Sequence, residues 1–233
     1  MKDFFSRINP TVKGISLAFM ATLGMANVYV FSKAALLEVS YFQFQFYWFG
    51  FAIIWIVPFL FITGIIKKIP KLSRSSNITL VIIGFLELGS STMMFLAIQL
   101  ADNPTTISFL SNLTPIFVTI LGIRFLGERF NAVEAIGIVL TIGGVILISY
   151  TRDTTISEFF GKGSGWILVS SIFASASIIT AKSRIKAIHP GILTLNRVLF
   201  IFLFGVTAML LRQESFQIPG SAAINMAIGS LLG

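Results

Sequence analysis

Seven stretches of this chain are each long and apolar enough to cross a lipid bilayer, and that property decides what it can fold into. About 20 mostly apolar residues span the hydrocarbon core as a helix. The stretches cover roughly 12–33, 41–66, 78–100, 105–125, 131–150, 164–185 and 191–212. An eighth run begins near Ser221 and reaches Gly233 after 13 residues, about 20 Å of helix and short of a crossing. It reads as part of a helix, and the chain as a fragment expected to continue past Gly233. Backbone groups in lipid must be satisfied internally, which leaves helices or closed barrels. Barrel strands alternate apolar and polar residues over about ten positions. Val145–Tyr150 and Ile201–Val206 do not alternate. An all-α polytopic membrane protein follows.

Composition prunes the alternatives. Hydrophobic residues make up 55% of the chain and charged residues 11%, where a soluble domain carries about a quarter charged. A water-soluble enzyme, a disordered chain and a collagen-like fibre are excluded. Cysteine is absent and His189 is the single histidine, so no disulfide framework, thiolate metal site or histidine-rich metal site is available. No cofactor and no metal are expected. The net charge of +8 is spread thinly between apolar runs, which fits the positive-inside rule better than nucleic-acid binding. With the N-terminus inside, cytoplasmic segments hold 12 Lys and Arg, among them Lys67, Lys68, Lys71, Arg124, Lys182 and Arg184. The opposite side holds 4: Lys33, Arg152, Lys162 and Arg212. That split predicts a cytoplasmic N-terminus in the cell (cytoplasmic, inner) membrane. The first dozen residues are too polar for a signal peptide, so the first run is a retained helix.

Shifting the sequence by 149 residues lays the hydropathy pattern of 13–60 over 162–209 without a gap. Lys13-Gly14 falls on Lys162-Gly163 and Lys33 on Lys182, although only 5 of the 48 positions are identical. Five helices separate the copies, and an odd number inverts the second in the membrane, an arrangement found in secondary transporters. The expected organisation is a first repeat over 1–150, an external linker over 151–163 and an incomplete second repeat over 164–233. A complete second copy would end near residue 299 (150 plus the 149-residue shift), and the 233 residues alone are expected not to transport.

Polar residues inside the runs are the candidate site. Glu87 lies near the middle of the third run, where a carboxylate costs several kcal/mol unless it is neutral, paired or wet. It can carry a proton or meet a cationic substrate; alternatively, it is protonated and bonded to a neighbouring helix for packing. Gly84, Ser91 and Met94 share its face at helical spacing. In the fourth run Ser108, Asn112, Pro115 and Thr119 share a face. Pro115 frees the carbonyl four residues earlier and can kink the helix. The face reads as a cavity lining, although each single residue there can equally be helix-to-helix glue. Asn27 is the strongly polar side chain of the first run, with packing the blander reading. Ser170, Ala174, Ser177 and Ala181 form a small-residue stripe on the sixth. Arg197, two turns into the seventh, can snorkel to the headgroups or contact an anion. His189 reads as a surface turn residue.

Intramembrane enzymes find little footing here. A zinc protease needs His-Glu-x-x-His, and an aspartyl protease needs two membrane aspartates, whereas Asp3, Asp102 and Asp153 all fall in loops. A serine dyad with His189 is poorly placed.

Ala97–Ser149 resembles the signature of the EamA-type families of the drug/metabolite transporter superfamily. The likeness is carried by a helix ending before a short polar turn, a proline-bearing fourth helix, Leu126-Gly127-Glu128-Arg129, and Gly137 followed by Gly143-Gly144-Val145. Arg197 looks like an arginine the family often has near the start of a repeat's second helix; the first repeat has Trp48 there, and Thr114 stands where the family often has Glu. The resemblance implies ten helices in two inverted five-helix repeats, about seven and a half of them present here. It implies movement of small organic metabolites such as amino acids, amines or drugs, with export the expected direction. It also implies a cavity lined by helices one, three, four and six, which here carry Asn27, Glu87, Asn112 and Ser175. The expected partners are the bilayer, a small-molecule substrate, H+ as coupling ion and a second copy of the chain in a homodimer. A non-transporting scaffold or sensor is the rival.

Overall fold

A computed structural model describes residues 10–102, 104–129, 131–149 and 161–233. The expected linker, the N-terminal basic residues Lys2 and Arg7, and Asp153 and Glu158 therefore lie at least partly outside the described residues. Helices form in chain order as α1 (Pro10–Leu36), α2 (Tyr41–Ile62), α3 (Arg74–Leu100), α4 (Pro104–Ser111), α5 (Thr114–Leu121), α6 (Ala132–Ser149), α7 (Ser164–Ser183), α8 (Pro190–Arg212) and α9 (Gly220–Leu232). Among the described residues six helical spans are long and apolar enough to cross a membrane: α1, α2, α3, α7, α8 and Thr106–Leu126, which joins most of α4 to α5 and the turn after it. The fifth run is helical for 18 residues, about 27 Å, and the eighth for 13.

Caps account for the boundaries that hydropathy misplaced. α2 ends at Ile62 rather than near 66, because Gly64 turns left-handed (φ 69°) and Pro70 sits in the short 3-10 segment that follows. α3 starts at Arg74, four residues before its apolar run, since the Ser73 hydroxyl accepts from the Ser76 amide and caps the first turn. α8 begins at Pro190 with His189 as its cap, the ring Nδ1 accepting from the Gly191 amide at 3.1 Å. This surface histidine thus has a local structural task.

The fourth run is two helices, not one. Proline has no amide hydrogen, and its ring collides with the carbonyl four residues earlier. Pro115 stands in the first turn of α5, and Asn112 and Leu113 make three-residue turns back to Phe109 and Leu110. The far end widens into a π-turn over Gly122–Leu126 and stops at Gly127, whose φ of 65° favours glycine.

Helix pairing has an internal logic. α3 packs on α7 and α1 on α9; α3 packs on α8 and α2 on α9; α2 and α8 pack on each other. Exchanging α1 with α7, α2 with α8 and α3 with α9, the correspondence of the 149-residue shift, returns the same five pairs. At the α2–α8 crossing the chains touch backbone to backbone: a Cβ on Gly205 would sit 2.8 Å from the Phe46 nitrogen. An aromatic cluster of Phe44, Trp48, Phe49 and Phe95 fills the space between α2 and α3.

Candidate functional site

Glu87 lies halfway along α3, 13 residues from either end. Its carboxylate has two partners. Arg197 of α8 places Nε 3.1 Å from one oxygen, and the Ser177 hydroxyl of α7 donates to the other at 2.7 Å. The Ser177 bond is to a charged partner, and such bonds are shorter and about twice as strong as neutral ones; with the ion pair it ties three helices at mid-span. The pair is not sealed off by protein: the Arg197 side chain keeps 41% of its exposure and Glu87 keeps 18%. Arg197 thus turns into the bundle rather than out to the headgroups, because α8 packs against both α2 and α3. An intramembrane charge faces a partner or water wherever it can.

The pair borders a cavity of about 520 Å³, within the range of small-molecule sites. α1 contributes Thr22, Met25 and Tyr29, and α3 adds Ser90 and Met94. The bend of the fourth run supplies Ser108, Ser111, Asn112 and Thr114, and α7 supplies Ser170, Ser171 and Ala174. Many of these hydroxyls bond between helices. Tyr29 donates to Ser111 at 2.7 Å, and Ser170 donates to the Ser90 carbonyl at 2.8 Å. Thr114 donates to the Ser171 hydroxyl at 3.0 Å, and Ser175 reaches the Thr114 carbonyl at 3.3 Å. The proline bend is thereby fastened to α7 at its weakest point.

The residues singled out from sequence fall into three groups. Glu87, Ser108 and Asn112 line the cavity. Ser91 and Ser175 are buried beside it; the Ser91 hydroxyl has no partner among the described residues, and Ser175 bonds to Ser171 and Thr114. Asn27 and Pro115 do not line it: Asn27 is exposed and bonds back to the Leu23 carbonyl at 2.8 Å. On α3 the cavity takes Ser90, three residues from Glu87, in place of Ser91, four residues away. Tyr29 and Ser111 are the additions; Arg197, Ser170 and Ser177, read from sequence as a snorkelling or anion-contacting arginine and as part of a packing stripe, join the site. One signal pointed to Arg197: an acid and a base lie inside runs three and seven, and each is costly unless the other is near.

The glycine-rich motif has separate work. Gly127 allows the turn that brings Glu128 to Lys182 at the end of α7, 2.5 Å away, and Gly122 leaves room for the Glu128 carboxylate. Arg129 is exposed. An added Cβ on Gly137, Gly143 or Gly144 of α6 would meet nothing within 4 Å.

These features define a polytopic α-helical membrane protein whose helices enclose a charged, hydroxyl-rich cavity. Residues 12–150 match the EamA-like transporter family, and the chain belongs to that family. It is similar to a WAT1-related protein of Arabidopsis thaliana, 26% identical over 154 residues that cover 64% of this chain and 41% of the relative. The chain thus aligns with about two fifths of that relative's length.

Proposed function

We propose that this protein is a secondary-active carrier that exports small organic metabolites across the cytoplasmic membrane by alternating access. The observation that carries the reading is the mid-span cavity: an opposite-charge pair and many hydroxyls gathered from helices of both proposed repeats, 1–150 and 164–233. Substrate would sit between the repeats, and rocking of one against the other would expose it to each side in turn. Glu87 recognises a positive group or carries the coupling proton, Asn112 and Ser108 supply hydrogen bonds, and the break at Pro115 lets the fourth run move. No catalytic step is assigned.

The test is flux in proteoliposomes holding the protein expressed from its whole reading frame. Saturable counterflow of a metabolite, lost or uncoupled from pH in Glu87→Gln, is expected. A scaffold would show no counterflow for any solute, and Glu87 would have no coupling role if rate and pH dependence stayed unchanged.

A further inference from the structure

A second cavity, of about 270 Å³, lies beside the first. Its walls are apolar and largely aromatic: Trp48, Phe49, Trp55, Phe59 and Phe95. The two cavities share three residues, Met25, Met94 and Arg197. The methionines are flexible partitions that repack at little cost. Arg197 is the charged member of the shared wall.

The guanidinium carries five N–H donors, and Glu87 takes only the Nε edge. Among the described residues the two Nη groups have no protein partner. The planar Nη edge matches a carboxylate in fork geometry, and a guanidinium also lies well against aromatic faces. Aromatic faces also attract cations, so it is the Nη edge, which only an anion can occupy, that separates the two charge classes here. Because Arg197 keeps 41% exposure, its head is reachable by a ligand.

We infer that Arg197 and the aromatic cavity form one binding site for a small organic acid with an apolar body. The carboxylate sits on the Nη edge, and the body lies among Trp48, Trp55 and Phe59. This deepens the carrier reading and rests on it for transport: it names the substrate class, places the body in the adjoining cavity, and of the two roles given to Glu87 leaves the coupling proton; binding itself needs no flux.

The experiment is calorimetric titration of the purified 233-residue chain in detergent with three probes. Phenylpropionate has both head and body, propionate the head alone, and phenethylamine the same ring with a positive head. Phenylpropionate is expected to bind at least about tenfold more tightly than either of the others. Arg197→Lys keeps the charge beside Glu87 but loses the fork, and should weaken phenylpropionate about tenfold. Ala52→Phe fills the aromatic cavity without touching the ion pair, and should erase the preference over propionate. Equal binding of phenethylamine, or a preference unmoved by Ala52→Phe, overturns the inference. If variants fail to fold, the three probes on the native chain still decide. Phenylpropionate binding together with no flux of any solute in the protein expressed from its whole reading frame would sink the carrier reading alone; flux of other solutes there with no phenylpropionate binding or competition would sink this one alone.

Discussion

Glu87 and Arg197 illustrate how a charge is kept inside a membrane. Each alone would face apolar surroundings at a cost of several kcal/mol; together, with Ser177, they satisfy one another and remain wet enough to meet a solute. Removing one partner strands the other. Glu87→Gln or Arg197→Gln singly should lower stability by about 1.5–3 kcal/mol, the scale of a charge-assisted hydrogen bond. The double variant should cost less than the sum of the two. Thermal unfolding of the four proteins in one detergent measures the coupling, and strict additivity would mean the contact contributes nothing. Lys33 is the second cation to examine. Its ammonium donates to the Ile98 and Gln99 carbonyls at 3.1 Å each and also to Ala101, closing the otherwise open end of α3. Lys33→Met should cost about 1–3 kcal/mol for the stranded carbonyls, and Lys33→Arg should recover part of it on the same melting assay.

Elements reveal how far a single sequence can be read. The spans were legible because lipid imposes length and apolarity directly, and the break in the fourth run because Pro115 removes a hydrogen bond that no neighbour on the same helix replaces. Helix ends were not legible from hydropathy alone: the Ser73 and His189 caps set boundaries that it misplaced. The site was half legible. Glu87, Ser108 and Asn112 were picked for polarity at depth and do line the cavity. Asn27 has the same polarity at depth yet is exposed, since polarity gives no azimuth on a helix whose apolar residues are spread almost evenly around it. The Glu87–Arg197 contact spans 110 residues of sequence, and only packing of α8 on α3 reveals it. The bend predicts a trade of stability for motion. Pro115→Ala should leave the melting temperature unchanged or raised while slowing counterflow several-fold, because the restored hydrogen bond stiffens the joint. Equal flux would show that the bend is only a shape.

At the scale of the molecule, the paired interfaces make the two sets of helices equivalent partners, and charge decides which way up they sit. The absence of cysteine makes the topology easy to test. Lys162→Cys should react with an impermeant maleimide added outside intact cells, and Lys68→Cys only after permeabilisation. The reverse pattern would invert the orientation, and labelling of both from one side would break the repeat relationship.

The contact of Gly205 with the Phe46 backbone has a mechanical consequence. Where two rods touch at bare main chain they can neither come nearer nor slide without collision, so the easiest relative movement is a tilt about that point, like a seesaw on its fulcrum. A bulkier residue such as valine at 205 would jam the pivot and, with it, the rocking that the proposed carrier cycle requires.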